Sequence, residues 1–182
     1  MAKKRSFNLV FSKMNLEVKM PYEKGSYALV LKLSREYAIS IGRYGQLGTY
    51  DFPKGTYIYC GTAYGSGGLH GRMMNHMRFL GNSSTRPQWH IDSILSVANL
   101  DRVFYTLSKT RMECIWSQGL ANLPKAFIPV PYFGASDCKN GCPAHLIGFP
   151  TRYPSESWRT VFLSSGVDVV ELEFDYRMSY SS

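Results

Sequence analysis

Hydrophobic positions first become regular at Gly25. The runs GSYALVLKL, YAISIG, LGTYDF and TYIYCGT are short, β-branched and aromatic, and Gly and Pro separate them, which is the pattern of an antiparallel meander. They predict three or four strands within residues 25–62. After the glycine-rich TAYGSGG the period changes, because Leu69, Met73, Met77 and Leu80 recur at helical spacing and predict a helix over about 68–80. Ile91, Ile94, Leu95 and Ala98 give a second, shorter helix in WHIDSILSVANL. DRVFYTLSK reads as a strand and MECIWSQGLANL as a third helix. The stretch from Pro124 to Pro154 is rich in proline and glycine, so it reads as loop with one strand at HLIGF. Residues 159–175 alternate well enough to predict one or two closing strands. Residues 1–24 have mixed patterning that Pro21 interrupts, and read as a mobile basic arm or irregular lead-in.

Composition narrows the picture. A chain of 182 residues with 45% hydrophobic, 14% aromatic and 19% charged residues can bury a sizeable core, and it fits one domain with appendages rather than two. No apolar run approaches the ~20 residues needed to cross a bilayer, and the start carries no secretory pattern. The expectation is a soluble, cytoplasmic protein without a membrane partner. The net charge is +8, and the first 24 residues, with six basic side chains against two acidic ones, supply half of it. This balance favours a polyanion, nucleic acid first, as partner. Cys60, Cys114, Cys138 and Cys142 are more plausible as thiols or metal ligands than as disulfides in such a chain.

Candidate chemistry gathers around the strand-to-helix turn. Glycines 61, 65, 67, 68 and 71 would let the backbone approach a phosphate at a helix start, but the Lys-Ser/Thr ending of a P-loop is absent, and such turns often need glycine for steric reasons alone. Arg72 and His76, four apart, project from one face of the predicted helix. Tyr27 and either Tyr57 or Tyr59 lie side by side if their strands pair. Glu113 is the only acidic residue between Asp101 and Asp137, and a hard cation needs such an oxygen. Each residue alone has an ordinary structural explanation: sheet tyrosine, surface arginine, or a carboxylate complementing a helix dipole. His90, a metal ligand or phosphate contact, and Asp92, a charge at the start of the second helix, sit together in QWHID. Cys138, Cys142 and His145 form C-x3-C-x2-H, which suggests zinc with Cys60 or Cys114 as fourth ligand, or else buried thiols. Most aromatics of a domain this size are core, which leaves Tyr44 and Tyr64, near basic loops, as the fair candidates for stacking on bases; Trp89, Trp116 and Trp158 are weaker ones.

Together these residues resemble the GIY-YIG nuclease superfamily. Gly25-Ser26-Tyr27 is similar to its first element and Tyr59-Cys60-Gly61 to its second. Arg72, His76 and Glu113 match the helical arginine, the histidine four residues later and the glutamate on a later helix. GGLHGR, WHID, EC, SDC and HL, in that order, resemble the branch known as domain of unknown function 123, sometimes fused to endonuclease III-type repair enzymes. The resemblance covers residues 25–149. It implies an α+β fold, a small and mostly antiparallel central sheet flanked by helices. The two tyrosine elements are 32 residues apart, where the family's usual separation is much shorter, so the resemblance implies an inserted hairpin at residues 34–54; residues 1–24 remain a basic arm and residues 150–182 a C-terminal strand extension packed on the domain.

The resemblance further implies metal-dependent hydrolysis of DNA phosphodiesters, in repair or defence, with RNA also open and a monomer or homodimer as the unit. Tyr27 would take a proton from the attacking water, as a phenolate favoured by Arg72 or through a relay to His76. Glu113 would hold Mg²⁺ or Mn²⁺, and Tyr59 and Arg72 would bind the scissile phosphate. Gly61, Gly67, Gly68, His90, Lys3, Lys4 and Arg5 are the expected substrate contacts. Asn122 and Asp137 both compete for the role of the family's supporting asparagine. Two other readings stand beside this one: a nucleic-acid-binding module that does not cut, and a Cys-His hydrolase using Cys60 or Cys138 with His76 or His145.

Overall fold

The computed structural model describes residues 20–42, 47–82 and 86–174, so the expectations for Lys3, Lys4, Arg5 and Tyr44 lie outside the described residues. Among the described residues there are seven strands and four helices. They are β1 (Gly25–Leu33), β2 (Tyr37–Ser40), β3 (Thr49–Phe52), β4 (Gly55–Ala63), α1 (Gly68–Met77), α2 (His90–Leu95), β5 (Asn99–Thr106), α3 (Glu113–Ala121), β6 (Leu146–Pro150), α4 (Ser155–Leu163) and β7 (Val170–Glu173). Five strands form one sheet in the order β6-β4-β1-β5-β7, with every neighbour antiparallel, and β2 pairs with β3 in a separate hairpin. The fold is α+β, with helices on both faces of the sheet, and the hairpin falls within the expected insertion.

The central position of β1 follows from its sequence. YALVLKL has apolar residues on both sides of the pleat, which only a strand covered on both faces can bury. Tyr27, Leu29, Leu31 and Leu33 enter one core, with Leu69, Met73 and Met77 of α1, Ile91, Ile94 and Leu95 of α2, and Ile39 and Phe52 of the hairpin. Ala28 and Val30 enter the other, with Ile58, Phe104, Ile147 and Phe149 from the sheet and Trp116, Leu120, Trp158 and Phe162 from α3 and α4. Among the described residues no helix is long and apolar enough to cross a membrane.

One prediction from the pattern is corrected. The segment read as the first of the closing strands belongs to a helix, α4, and only β7 closes the sheet. Short alternation in RTVFL mimics a strand, but the helical register lets Trp158 and Phe162, four apart, reach the sheet together. Phe162 stacks on Phe104 at 4.3 Å between centroids and meets the edge of Trp116 at 5.2 Å. Truncating Phe162 to Ala would cost about 3–5 kcal/mol, more than local strand propensity can supply. β7 is held by its ladder to β5 and by Leu172 on the core, and Glu171 and Glu173 both pair with Arg102 of β5. The first helix is also shorter than predicted: after Met77 it tightens into i→i−3 bonds, Arg78 N–H to Asn75 O and Phe79 N–H to His76 O.

Candidate active site

The β1–β4 register sets Tyr27 opposite Gly61 and Leu29 opposite Tyr59, so the two tyrosines are diagonal neighbours on one face, 6.3 Å between ring centroids. Tyr57 belongs elsewhere: its hydroxyl donates to Pro53 O and its ring packs on Phe52 and Phe127. Gly61 explains how Tyr27 fits. A Cβ at Gly61 would lie 2.7 Å from both Cζ and Oη of Tyr27, so any side chain there would push the phenol aside.

Helix α1 crosses this face and brings His76 beneath the tyrosines. His76 Nε2 is 2.7 Å from Tyr27 Oη. On its other side, His76 Nδ1 stands 3.5 Å from Asp92 Oδ1, and both residues are almost wholly buried. Asp92 Oδ2 accepts the backbone N–H groups of Gln88 at 3.0 Å and Trp89 at 2.8 Å, which caps α2. The acidic residue expected as a helix-start charge therefore fills that place and also faces the histidine. Burial pushes the Tyr27 phenol well above its usual pKa, and Tyr59 raises it further while Arg72 only partly offsets this. Burial holds the His76 imidazole below its ordinary value, against the opposing pull of Asp92.

Tyr27, Tyr59, Arg72, His76 and Glu113 all line one cleft of about 410 Å³. Gly61 lines it too, whereas Gly67, Gly68 and His90 do not. Gly68 takes a positive φ of 54°, and a Cβ there would lie 2.0 Å from Tyr22 O, so it serves a close backbone crossing. The amides at the helix start are taken by protein carbonyls: Leu69 N–H by Glu23 O, His70 N–H by Pro21 O and Gly71 N–H by Gly67 O. His90 turns toward Phe133, 5.6 Å between centroids. The neighbouring Trp89 faces the cleft at 55% exposure, with the Arg72 guanidinium 5.2 Å from its ring. Trp116 and Trp158 are buried.

A family model, "Domain of unknown function DUF123", matches residues 26–165. The chain belongs to this family. No curated protein and no solved structure gives a significant match.

The far wall of the DUF123 cleft is formed by the start of α3 and the loop before β6. Glu113 opens α3, whose approach is fixed where Ser26 Oγ accepts the Met112 N–H at 3.0 Å. Directly after it, Cys114 joins Cys138, Cys142 and His145 in a cluster whose ligand atoms all lie within 4.8 Å of one another. Cys114 is thus the fourth member; Cys60 donates its backbone N–H to His145 O at 2.9 Å, but its thiol lies in the core beneath α3 and α4, where burial pushes it up in pKa. Three thiols and one imidazole converging in this way can hold a metal ion. Cys114 Sγ lies 3.5 Å from Cys138 Sγ and 3.8 Å from His145 Nε2. Burial raises the Cys138 thiol, but hydrogen bonds from the Cys142 and Asn140 backbone outweigh it and leave the group below its usual value, whereas burial pushes the Cys114 and Cys142 thiols up.

Of the two candidates for a supporting residue, Asp137 lines the cleft, and Asn122 caps the far end of α3. Asn140, which spacing did not single out, lines the cleft and donates its side-chain amide to Cys114 Sγ at 3.3 Å. Arg111 and Lys139 add positive charge to the lining. Lone polar residues in a Pro/Gly-rich stretch, or in the short turn before α3 as Arg111 is, give no periodic signal, so these could not have been found from the pattern.

Proposed function

We propose that this DUF123 protein is a divalent-metal-dependent endonuclease of the GIY-YIG type that hydrolyses phosphodiester bonds in DNA. One observation carries the reading: Tyr27, Tyr59, Arg72, His76 and Glu113, from β1, β4, α1 and α3, converge on one cleft although they span 87 positions of sequence, 27 to 113. Binding alone does not require a carboxylate facing a polyanion. The further positive charges of Arg111 and Lys139, and the exposed Trp89 indole, suit a nucleic-acid backbone and its bases.

The pKa directions favour a relay over a resting phenolate. Tyr27 Oη accepts a proton from the attacking water while its own proton passes to His76 Nε2, so no free phenolate has to exist in the buried site. The new P–O bond forms from that water as the bond to the departing oxygen breaks. Arg72 and Tyr59 hold the non-bridging oxygens of the phosphate, where a guanidinium offers fork geometry and full charge. Glu113, with Asp137 and Asn140 on the same wall, offers hard oxygen donors suited to Mg²⁺ or Mn²⁺. Such an ion supplies charge stabilisation at the departing oxygen. The Cys114, Cys138, Cys142 and His145 donor set is soft and four-membered, which suits a structural Zn²⁺.

The test is incubation with labelled DNA and RNA of varied structure, including abasic and deaminated sites, in Mg²⁺, Mn²⁺ or EDTA. Metal-dependent cleavage that survives wild-type purification but disappears in Glu113→Gln supports the enzyme. Binding without cleavage under every metal supports the second reading, a nucleic-acid-binding module of the same fold. Quenching of Trp89 fluorescence by oligonucleotide in EDTA measures that binding separately. Against the thiol-hydrolase alternative, Cys138 and His145 belong to a four-residue donor set and the Cys60 thiol is buried; full activity after iodoacetamide treatment excludes it.

A further inference from the structure

Two buried polar atoms near the cleft lack a hydrogen-bond partner, His76 Nδ1 and Asp92 Oδ1, and they face each other at 3.5 Å. Buried polar groups are rarely left alone, and a closure of about half an ångström would pair them. Both chains are held for that closure. Asp92 is fixed through Oδ2 by the Gln88 and Trp89 amides, and His76 is fixed by Tyr27 Oη at Nε2 and by the ring edge of Tyr59, 6.4 Å between centroids. From this arrangement we infer that Asp92 is a positioning residue that fixes the His76 tautomer, with the proton on Nδ1 and the lone pair of Nε2 aimed at Tyr27.

The chemistry follows from what each group can do. As a carboxylate, Asp92 only accepts, so the imidazole nitrogen facing it carries the hydrogen. The other nitrogen is then an acceptor, and Tyr27 must donate to it at 2.7 Å. That polarity is the one a relay needs, because the phenol proton already points at its destination and the phenol oxygen keeps a lone pair for the incoming water proton. When His76 becomes an imidazolium, the charge next to it is Asp92, which opposes the penalty of burial; Arg72, on the same helix, acts in the opposite sense, and Tyr27 and Tyr59 are the remaining titratable neighbours. The inference rests on the nuclease reading only for its catalytic consequence, since the tautomer exists with or without substrate.

Asp92→Asn separates the roles. Its carboxamide oxygen can still cap α2, while the amide NH₂ turned toward His76 would donate to Nδ1 and drive the proton to Nε2. With ¹⁵N-labelled histidine, the wild type should show His76 protonated at Nδ1 and bare at Nε2, and Asp92→Asn should show the reverse. Cleavage should fall roughly 100-fold or more with oligonucleotide affinity unchanged. An unchanged His76 tautomer in Asp92→Asn overturns the inference. If that variant fails to fold, the wild-type spectrum still decides, since a His76 protonated at Nε2 overturns it as well. A wild type that shows the expected tautomer but cuts nothing refutes the nuclease reading and leaves the role of Asp92 toward His76 standing.

Discussion

On the wall of the cleft formed by β1, β4 and the α1 and α2 helices, every chemical group rises from a regular element whose remaining surface is packed. Tyr27 sits between Leu29 and the Gly61 gap, His76 lies in the same turn of helix as Met73 and Met77, and Asp92 stands between Ile91 and Ile94. The opposite wall is built largely from loop, though it too is packed. Glu113 is the first residue of its helix, and the loop from 124 to 145 meets the sheet through the isolated bridge of Phe127 with Gly148, the Cys60 N–H bond to His145 O at 2.9 Å and the buried Val130, Phe133 and Ala144. Two of its non-glycine residues, Lys125 and Tyr132, hold left-handed backbone at φ 61° and 59°. Such residues cost about 1–2 kcal/mol each and persist where their surroundings over-determine them. On this wall the surroundings include the Cys114, Cys138, Cys142 and His145 cluster, which ties the start of α3 to the loop. One wall rests on packed regular elements, whereas the other adds to its packing a donor set that can hold a metal ion, so they should fail under different treatments.

The largest effect should come from breaking the cluster. Cys138→Ala is expected to lose one equivalent of bound metal and to unfold at a markedly lower temperature, because ion binding of this kind couples about 10 kcal/mol or more to folding in small sites. Metal content by mass spectrometry and a thermal melt measure it. A variant that melts with the wild type would show that the loop holds itself. Glu113→Gln leaves the cluster alone and removes only the charge, so cleavage should fall by about 10³-fold while the melt stays put and affinity for DNA holds or tightens. Wild-type turnover there would move the divalent ion to other ligands, Asp137 first.

The wall of regular elements should yield to geometry instead. Gly61→Ala should keep metal content and lose about 10²-fold in cleavage, since a methyl at 2.7 Å must displace the Tyr27 phenol by a large fraction of an ångström. Full activity would separate Tyr27 from the chemistry. The smallest effect is on pH. His76 is held below its ordinary pKa of about 6.5, so the neutral ring that the relay needs persists above that value. Cleavage should decline on an acid limb lying below pH ~6.5. In the same window the unfolded chain takes up a proton that folded His76 resists, so this group's contribution to stability, complete above pH ~6.5, should fade as pH drops. An acid limb above that value would assign the titration to another group.

The sequence by itself determined the parts with strong periodicity or distinctive residues. Apolar residues on both sides of β1, the 3.6-residue spacing of Leu69, Met73 and Met77, and the isolated Glu113 are local properties, legible wherever a pattern repeats or a residue type is rare. The hairpin was legible only through the family resemblance, in which the two tyrosine elements usually lie much closer than the 32 residues found here. Tertiary structure decided what depended on partners far away. Helix α4 formed against local alternation because Trp158 and Phe162 found Phe104 and Trp116. Cys114, rather than Cys60, joined the cluster because β4 buries Cys60 on the face of the sheet covered by α3 and α4. Asp92 met His76 only because α2 packs beside α1, and no spacing in one dimension can encode which nitrogen of an imidazole a carboxylate will face.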